Sequence, residues 1–316
     1  MNNKNQARAA NLLERRKGHW YQFAEGELDH VCRCMDELRP VSWAADLVDR
    51  AEVAIKLVEW LADNEDILET PEWLENWVKL EDLRTTLFEV RYAFDLHNRG
   101  ITPTYEKETL GNSSVDFEIC VHGATFLIEL LSTTQTQAMT NQTEHLTETL
   151  RVLRANDSEE LRKVQGKIVR KVARKDNAAQ EHVPHKFLAP EPGATIYNVI
   201  IADTRGFAGG AHLEPFDRGQ LVFGTLYYLQ NGGVKQRAHR IGNQPLAGLF
   251  DAAKSGTEAL LFRQRIHLLG LVSEEKFGPD QVLQQTRLYQ NPFLPDSKMA
   301  AERLLQVTYS HNPTAT

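Results

Sequence analysis

Cysteine is scarce in this chain: of 316 residues only three, at positions 32, 34 and 120, are cysteine. An odd, sparse set builds no disulfide framework. Cys32 and Cys34, two apart in a helical pattern, face different ways and suggest no zinc site. Long apolar runs are missing too. No stretch approaches the roughly 20 residues a membrane span needs, and "MNNKNQARAANLLERRKGHW" holds nothing like a secretory signal. These absences point to a cytoplasmic protein without a membrane partner. A glycine-rich phosphate loop is also lacking: "GFAGGAH" fits neither the dinucleotide nor the P-loop spacing and reads as a flexible loop. No internal repeat or low-complexity tract is present. "HVPH" (His182, His185) has no acid or cysteine partner at ligand spacing and reads as surface or capping histidines.

Positive charge is in deficit overall, with 36 basic against 43 acidic residues and a formal charge of −7. That balance argues against a general polyanion binder. What basic charge there is concentrates in residues 150–186, which carry ten basic and five acidic side chains. There Ser158 heads a helix expected to run to about residue 177, with Leu161, Val164, Ile168 and Val172 as its apolar stripe. Lys163, Lys167, Arg170 and Arg174 point elsewhere, forming either a nucleic-acid-binding face or a merely solvated one. Lys175 falls near the centre of the stripe and Lys171 at its edge. A lysine on a buried side needs a partner or a task.

With 41% apolar and 25% charged residues, the chain is long enough for one large core, or one core with a helical appendage. Residues 1–80 read as a helical region. Trp43, Leu47, Ala51, Ala54, Val58 and Leu61 make an amphipathic helix over 42–63 behind a Ser42 cap, and "TPEW" opens a second at Thr70 and Pro71. The tryptophans lie in this acidic region and read as core packing rather than as a platform for bases. From residue 81 the pattern mixes helices and strands. A helix over about 80–98 carries Leu83, Leu87, Val90 and Phe94 on one stripe and stops at Gly100. Glu89 lies off the stripe and, taken alone, reads as a solvated side chain. The strands are "ITPTYEKE", "VDFEI", "FLIELL", "TIYNVIIAD" and "IHLLGLVSEE"; residues 143–155 read as helix, and "KMAAERLLQV" as a terminal helix after the turn-rich "NPFLPDS". The expected class is α/β, a mixed central sheet flanked by helices over 81–316 with an α-helical region over 1–80.

Within that sheet, "SSVDFEICVHGATFLIELLS" places two strands around an "HG" turn, which favours antiparallel pairing. Asp116 and Glu129 stand in these strands where the pattern would accept an apolar residue. Two neighbouring carboxylates stay ionised only with a cation or several donors between them. One or two carboxylates, with water and substrate phosphate completing the shell, is how a Mg²⁺ site is usually made. Mn²⁺ would serve in the same place. Glu89 on the adjoining helix could orient a water.

In order and approximate spacing, Glu89 in "LFEVRYAFDLHNRG", Asp116 in "SVDFEI" and Glu129 in "FLIELLS" resemble the PD-(D/E)XK nuclease superfamily. The resemblance spans roughly residues 84–205, with support to 295 from "LYQNP", and is to uncharacterised bacterial members. It implies a restriction-endonuclease-like core and a metal-dependent phosphodiesterase acting on DNA, with Asp116 and Glu129 as metal ligands and Glu89 assisting. The chain departs from the motif at Leu131, where the family has its catalytic lysine; Lys171 and Lys175 are the substitutes the resemblance suggests. The alternative is a catalytically degenerate member that binds nucleic acid or a protein without cleavage. A protein partner could dock on the N-terminal helices, and an oligomer is compatible with either reading.

Overall fold

The computed structural model describes residues 27–63, 83–134, 143–145, 151–153, 157–176, 181–206, 215–224, 228–231, 234–237, 246–272 and 282–309. The "TPEW" helix, the "GFAGGAH" loop beyond Gly206 and the last residues lie outside them.

Two helices come first, α1 (Glu27–Leu38) and α2 (Ala45–Asp63). A 3-10 turn over Ser42–Ala44 joins them, and Ser42 sits inside that turn instead of capping α2. Next is α3 (Leu83–Asn98), of whose 16 residues 12 are buried. An amphipathic stripe is therefore the wrong description of α3, and Glu89 is enclosed with the rest. Gly100, at φ 69°, ends the helix as expected: its N–H reaches His97 O, and Ile101 N–H returns to Leu96 O.

Three antiparallel strands follow, β1 (Thr104–Glu108), β2 (Ser114–Val121) and β3 (Ala124–Thr134). The turn between β2 and β3 is His122–Gly123, both at positive φ (48° and 70°), which matches the twist of a two-residue hairpin. Residues 143–155, expected as helix, instead contain a small antiparallel pair, β4 (Thr143–His145) and β5 (Arg151–Leu153). Pairing between the two segments decides their form over the helical spacing of the leucines. Helix α4 (Asp157–Arg170) is shorter than expected. Lys171 and Val172 close onto Ile168 and Val169 in tight turns, and the chain enters β6 (Ala173–Lys175), paired with β7 (His182–Pro184).

The remaining elements are β8 (Ile196–Gly206), α5 (Pro215–Phe223), the hairpin β9 (Tyr228–Asn231) and β10 (Val234–Arg237), α6 (Thr257–Arg265), β11 (Leu268–Val272), β12 (Thr286–Gln290) and α7 (Ser297–Tyr309). One six-stranded sheet organises them, in the order β1-β2-β3-β8-β11-β12. Strands β3, β8 and β11 run parallel at its centre, and β12 returns antiparallel. The architecture is thus α/β with a mixed central sheet.

Each face of the sheet has its own apolar layer. On one, Val31, Leu38, Leu47, Ala51, Val90 and Leu304 from α1, α2, α3 and α7 pack with Phe117, Phe126, Ile128, Tyr197 and Val199. On the other, Leu161, Val164, Ile168, Leu221 and Phe262 from α4, α5 and α6 cover Leu131, Ile200, Leu269 and Leu271. Parallel strands covered on both sides read as continuous apolar runs, which is why "NVIIA" and "LLGLV" are so hydrophobic. Among the described residues no helix is long and apolar enough to cross a membrane.

Candidate functional site

The ladder between β2 and β3 runs from Val121–Ala124 to Phe117–Ile128. At the next position on β2, Asp116 Oδ2 accepts the backbone N–H of Leu130 at 2.6 Å. A side-chain oxygen thus takes over the acceptor role of a strand carbonyl where the ladder ends. Helix α3 is fixed beside this point, because Ser132 N–H donates to Thr85 Oγ1 at 3.0 Å.

Glu129 projects to the α4 side of the sheet and is fully buried. Its Oε1 receives Lys171 Nζ at 2.7 Å and Lys186 Nζ at 2.6 Å. Its Oε2 is buried with no hydrogen-bond partner. Lys171 stands just past the last residue of α4, where the helix dictates its approach. Lys186 follows β7 at φ 63°, bridged to Leu110.

Glu89, on α3, is 3% exposed. Tyr105 OH donates to its Oε2 at 2.9 Å, and Arg50 Nη1 lies 3.9 Å from the same oxygen. Burial pushes the Glu89 carboxyl up to about 7, against the pull of Arg50 and Tyr105 and with a further push from Glu129. Asp116 keeps some solvent contact, yet loss of hydration, then the charges of Glu129 and Glu89, hold it well above the usual carboxylate range, with Lys171 and Lys186 opposing. Glu129 therefore lies close enough to both Glu89 and Asp116 to raise their proton affinity.

The fold gathers some of the residues singled out in the sequence and separates others. Glu89, Asp116, Glu129 and Lys171 come together, and Glu89 is a buried member of the group instead of a solvated one. Lys175 does not join them: α4 stops at Arg170, and Lys175 is exposed on β6, paired with His182. The second amine at Glu129 is Lys186, which sequence reasoning missed. It belongs to an irregular segment with no periodicity to point the side chain inward; its only sequence signal is a lysine directly after "HVPH". His182 pairs with Glu258 at 2.9 Å, and His185 Nδ1 lies 3.0 Å from Ser113 Oγ. Lys163, Lys167 and Arg170 all keep solvent contact along α4, while Arg174 leaves the helix for an exposed position on β6.

Among the described residues no group of three or more His, Cys, Asp or Glu side chains is arranged to hold a metal ion. Two carboxylates suffice for a Mg²⁺ that keeps its waters. The unpartnered buried Oε2 of Glu129 next to Asp116 fits that two-acid case.

No protein-family model matches the chain, and neither a curated protein nor a solved structure matches it.

Proposed function

We propose that the protein is a Mg²⁺- or Mn²⁺-dependent phosphodiester hydrolase acting on DNA, with a restriction-endonuclease-like core. The observation that carries this reading is the meeting of Glu89, Asp116, Glu129 and Lys171 where β2 and β3 cease to pair. The antiparallel β1-β2-β3 followed by parallel β8 supports it.

Asp116 and Glu129 would hold the ion, which when bound supplies Lewis-acid polarisation of the phosphate and a hydroxide near neutral pH. Glu89 accepts a hydrogen bond from the attacking water and orients it. Lys171 takes the part that Leu131 cannot: Leu131 is 3% exposed and packed in the α4-side layer, whereas the Lys171 ammonium stands at Glu129. A positioned cation there stabilises charge developing on the phosphoryl oxygens. The basic face of α4 would track the DNA backbone.

The second reading, a protein of this fold that binds without cutting, is favoured by one specific observation. Lys171 and Lys186 already neutralise Glu129, as a divalent ion would. Incubating the protein with Mg²⁺ and linear, circular and single-stranded DNA separates the two. Metal-dependent cleavage lost in Glu129→Ala supports the hydrolase; DNA binding with no cleavage under any metal supports the binder.

A further inference from the structure

Arg50 belongs to α2, yet its guanidinium ends beside the acids. Its Nη1 donates to Glu106 Oε1 at 2.6 Å and to Tyr105 OH, and lies 3.9 Å from Glu89 Oε2. Tyr105 passes the contact on, donating to Glu89 at 2.9 Å while its ring packs on Phe117, the neighbour of Asp116, at 5.4 Å between centroids. The relay therefore runs from a helix of the N-terminal region through β1 to the acid on α3.

Two features set it apart from an ordinary surface ion pair. Glu106, the anchor of Arg50, is a non-glycine residue at φ 49° inside β1, a conformation that persists only where its surroundings enforce it. Glu89 is itself a costly choice, buried beside two further carboxylates where an apolar residue would be cheaper for the fold. Burial works against the charge of Arg50, but Glu89, Tyr105, Glu106 and Asp116 together hold it above its ordinary range.

We infer that Arg50 and Tyr105 are positioning residues that fix the Glu89 carboxylate for metal-dependent hydrolysis, so that the N-terminal helices are part of the site. The inference rests on the hydrolase reading above. Partners behind a carboxylate that serves a metal site, when removed, typically cost about 10- to 100-fold in metal affinity or activity.

The test uses the full chain with Tyr105→Phe, Arg50→Met and Arg50→Lys, reading Mn²⁺ affinity by calorimetry and single-turnover cleavage of duplex DNA. Tyr105→Phe keeps the ring on Phe117 and removes only the hydroxyl, so it carries the test even if Arg50→Met disturbs folding. Expected are a loss of about 10-fold or more in Mn²⁺ affinity or kcat for Tyr105→Phe and Arg50→Met, an unchanged KM for DNA, and partial recovery in Arg50→Lys. Wild-type Mn²⁺ affinity and kcat retained in Tyr105→Phe, while Glu129→Ala loses both, would overturn this inference and leave the hydrolase standing. A wild type that takes up no Mn²⁺ and cuts no DNA would overturn the hydrolase reading and this inference with it.

Discussion

Lys171 and Lys186 converge on a single oxygen of Glu129, at 2.7 and 2.6 Å, although one leaves a helix and the other a short strand. Their like charges meet because the buried carboxylate between them attracts both. Arg50 answers a different pair of acids, Glu106 at 2.6 Å and Glu89 at 3.9 Å.

The roles of the lysines differ from that of Lys175, which is exposed on β6. Metal-dependent cleavage should fall roughly a hundredfold or more in Lys171→Met, the scale of losing one transition-state donor, about 3 kcal/mol. Lys186→Met should also slow it, and Lys175→Met should leave it within about twofold of wild type. Full activity in a Lys171→Met, Lys186→Met double variant would remove any cationic role from this site.

A ligand that binds only the folded state raises its melting temperature. Mg²⁺ or Mn²⁺ should therefore stabilise wild type and leave Asp116→Asn and Glu129→Gln unmoved. Asparagine retains an acceptor oxygen for Leu130 N–H, so the substitution tests charge without stripping the strand end of its hydrogen bond. The comparison is of the metal-induced shift, since removing a repelling carboxylate raises the baseline by itself. Equal shifts in all three proteins would rule out this pair as the ligands.

Proton linkage gives an independent measurement on the metal-free protein. The Glu89 carboxyl, raised from 4.5 to about 7, holds its proton more tightly folded than unfolded. Its contribution to stability is thus complete below the unfolded value of 4.5 and disappears as pH rises through about 7. Asp116, also raised, acts in the same direction. Unfolding free energies from denaturant titrations should fall between pH 5 and pH 8, by at most about 1.4 kcal/mol per pH unit for each group. Glu89→Gln should flatten this profile; an unchanged slope would mean that Glu89 is ionised throughout.

Lys163, Lys167 and Arg170 recur at the spacing of one helix face on α4. Reversing their charge should weaken DNA binding and lower the salt dependence of log affinity by about two to three. Filter binding across a salt series reads both quantities, and a triple variant with wild-type affinity and slope would make this a solvated face only.

The strand pair that bears Asp116 and Glu129 was legible because alternation and the His122–Gly123 turn are local properties. The buried runs of β8 and β11 were legible for a similar reason. Elsewhere the deciding interaction is remote in sequence. The stripe Leu161, Val164, Ile168 continues smoothly into Val172, and nothing local says that Val172 will instead accept the N–H of His185 beside a new strand. That one ending moved Lys175 away from Glu129 and left Lys171 beside it. The burial of Glu89 is not local either: a stripe implies a wet side, whereas α3 is covered nearly all round by α1, α2 and the sheet. Lys186 needed the tertiary fold outright.

The bend at Glu106 has a consequence unrelated to chemistry. Strand β1 closes one end of the six-stranded sheet, and such a border is where a foreign strand could add itself. Here the border is five residues long, carries Glu106, Lys107 and Glu108 in succession, and is broken by a left-handed residue at its centre. A second chain approaching this edge would meet charge and a kinked backbone in place of a straight template. The same residue that anchors Arg50 therefore guards the protein against growing into a fibre from this side.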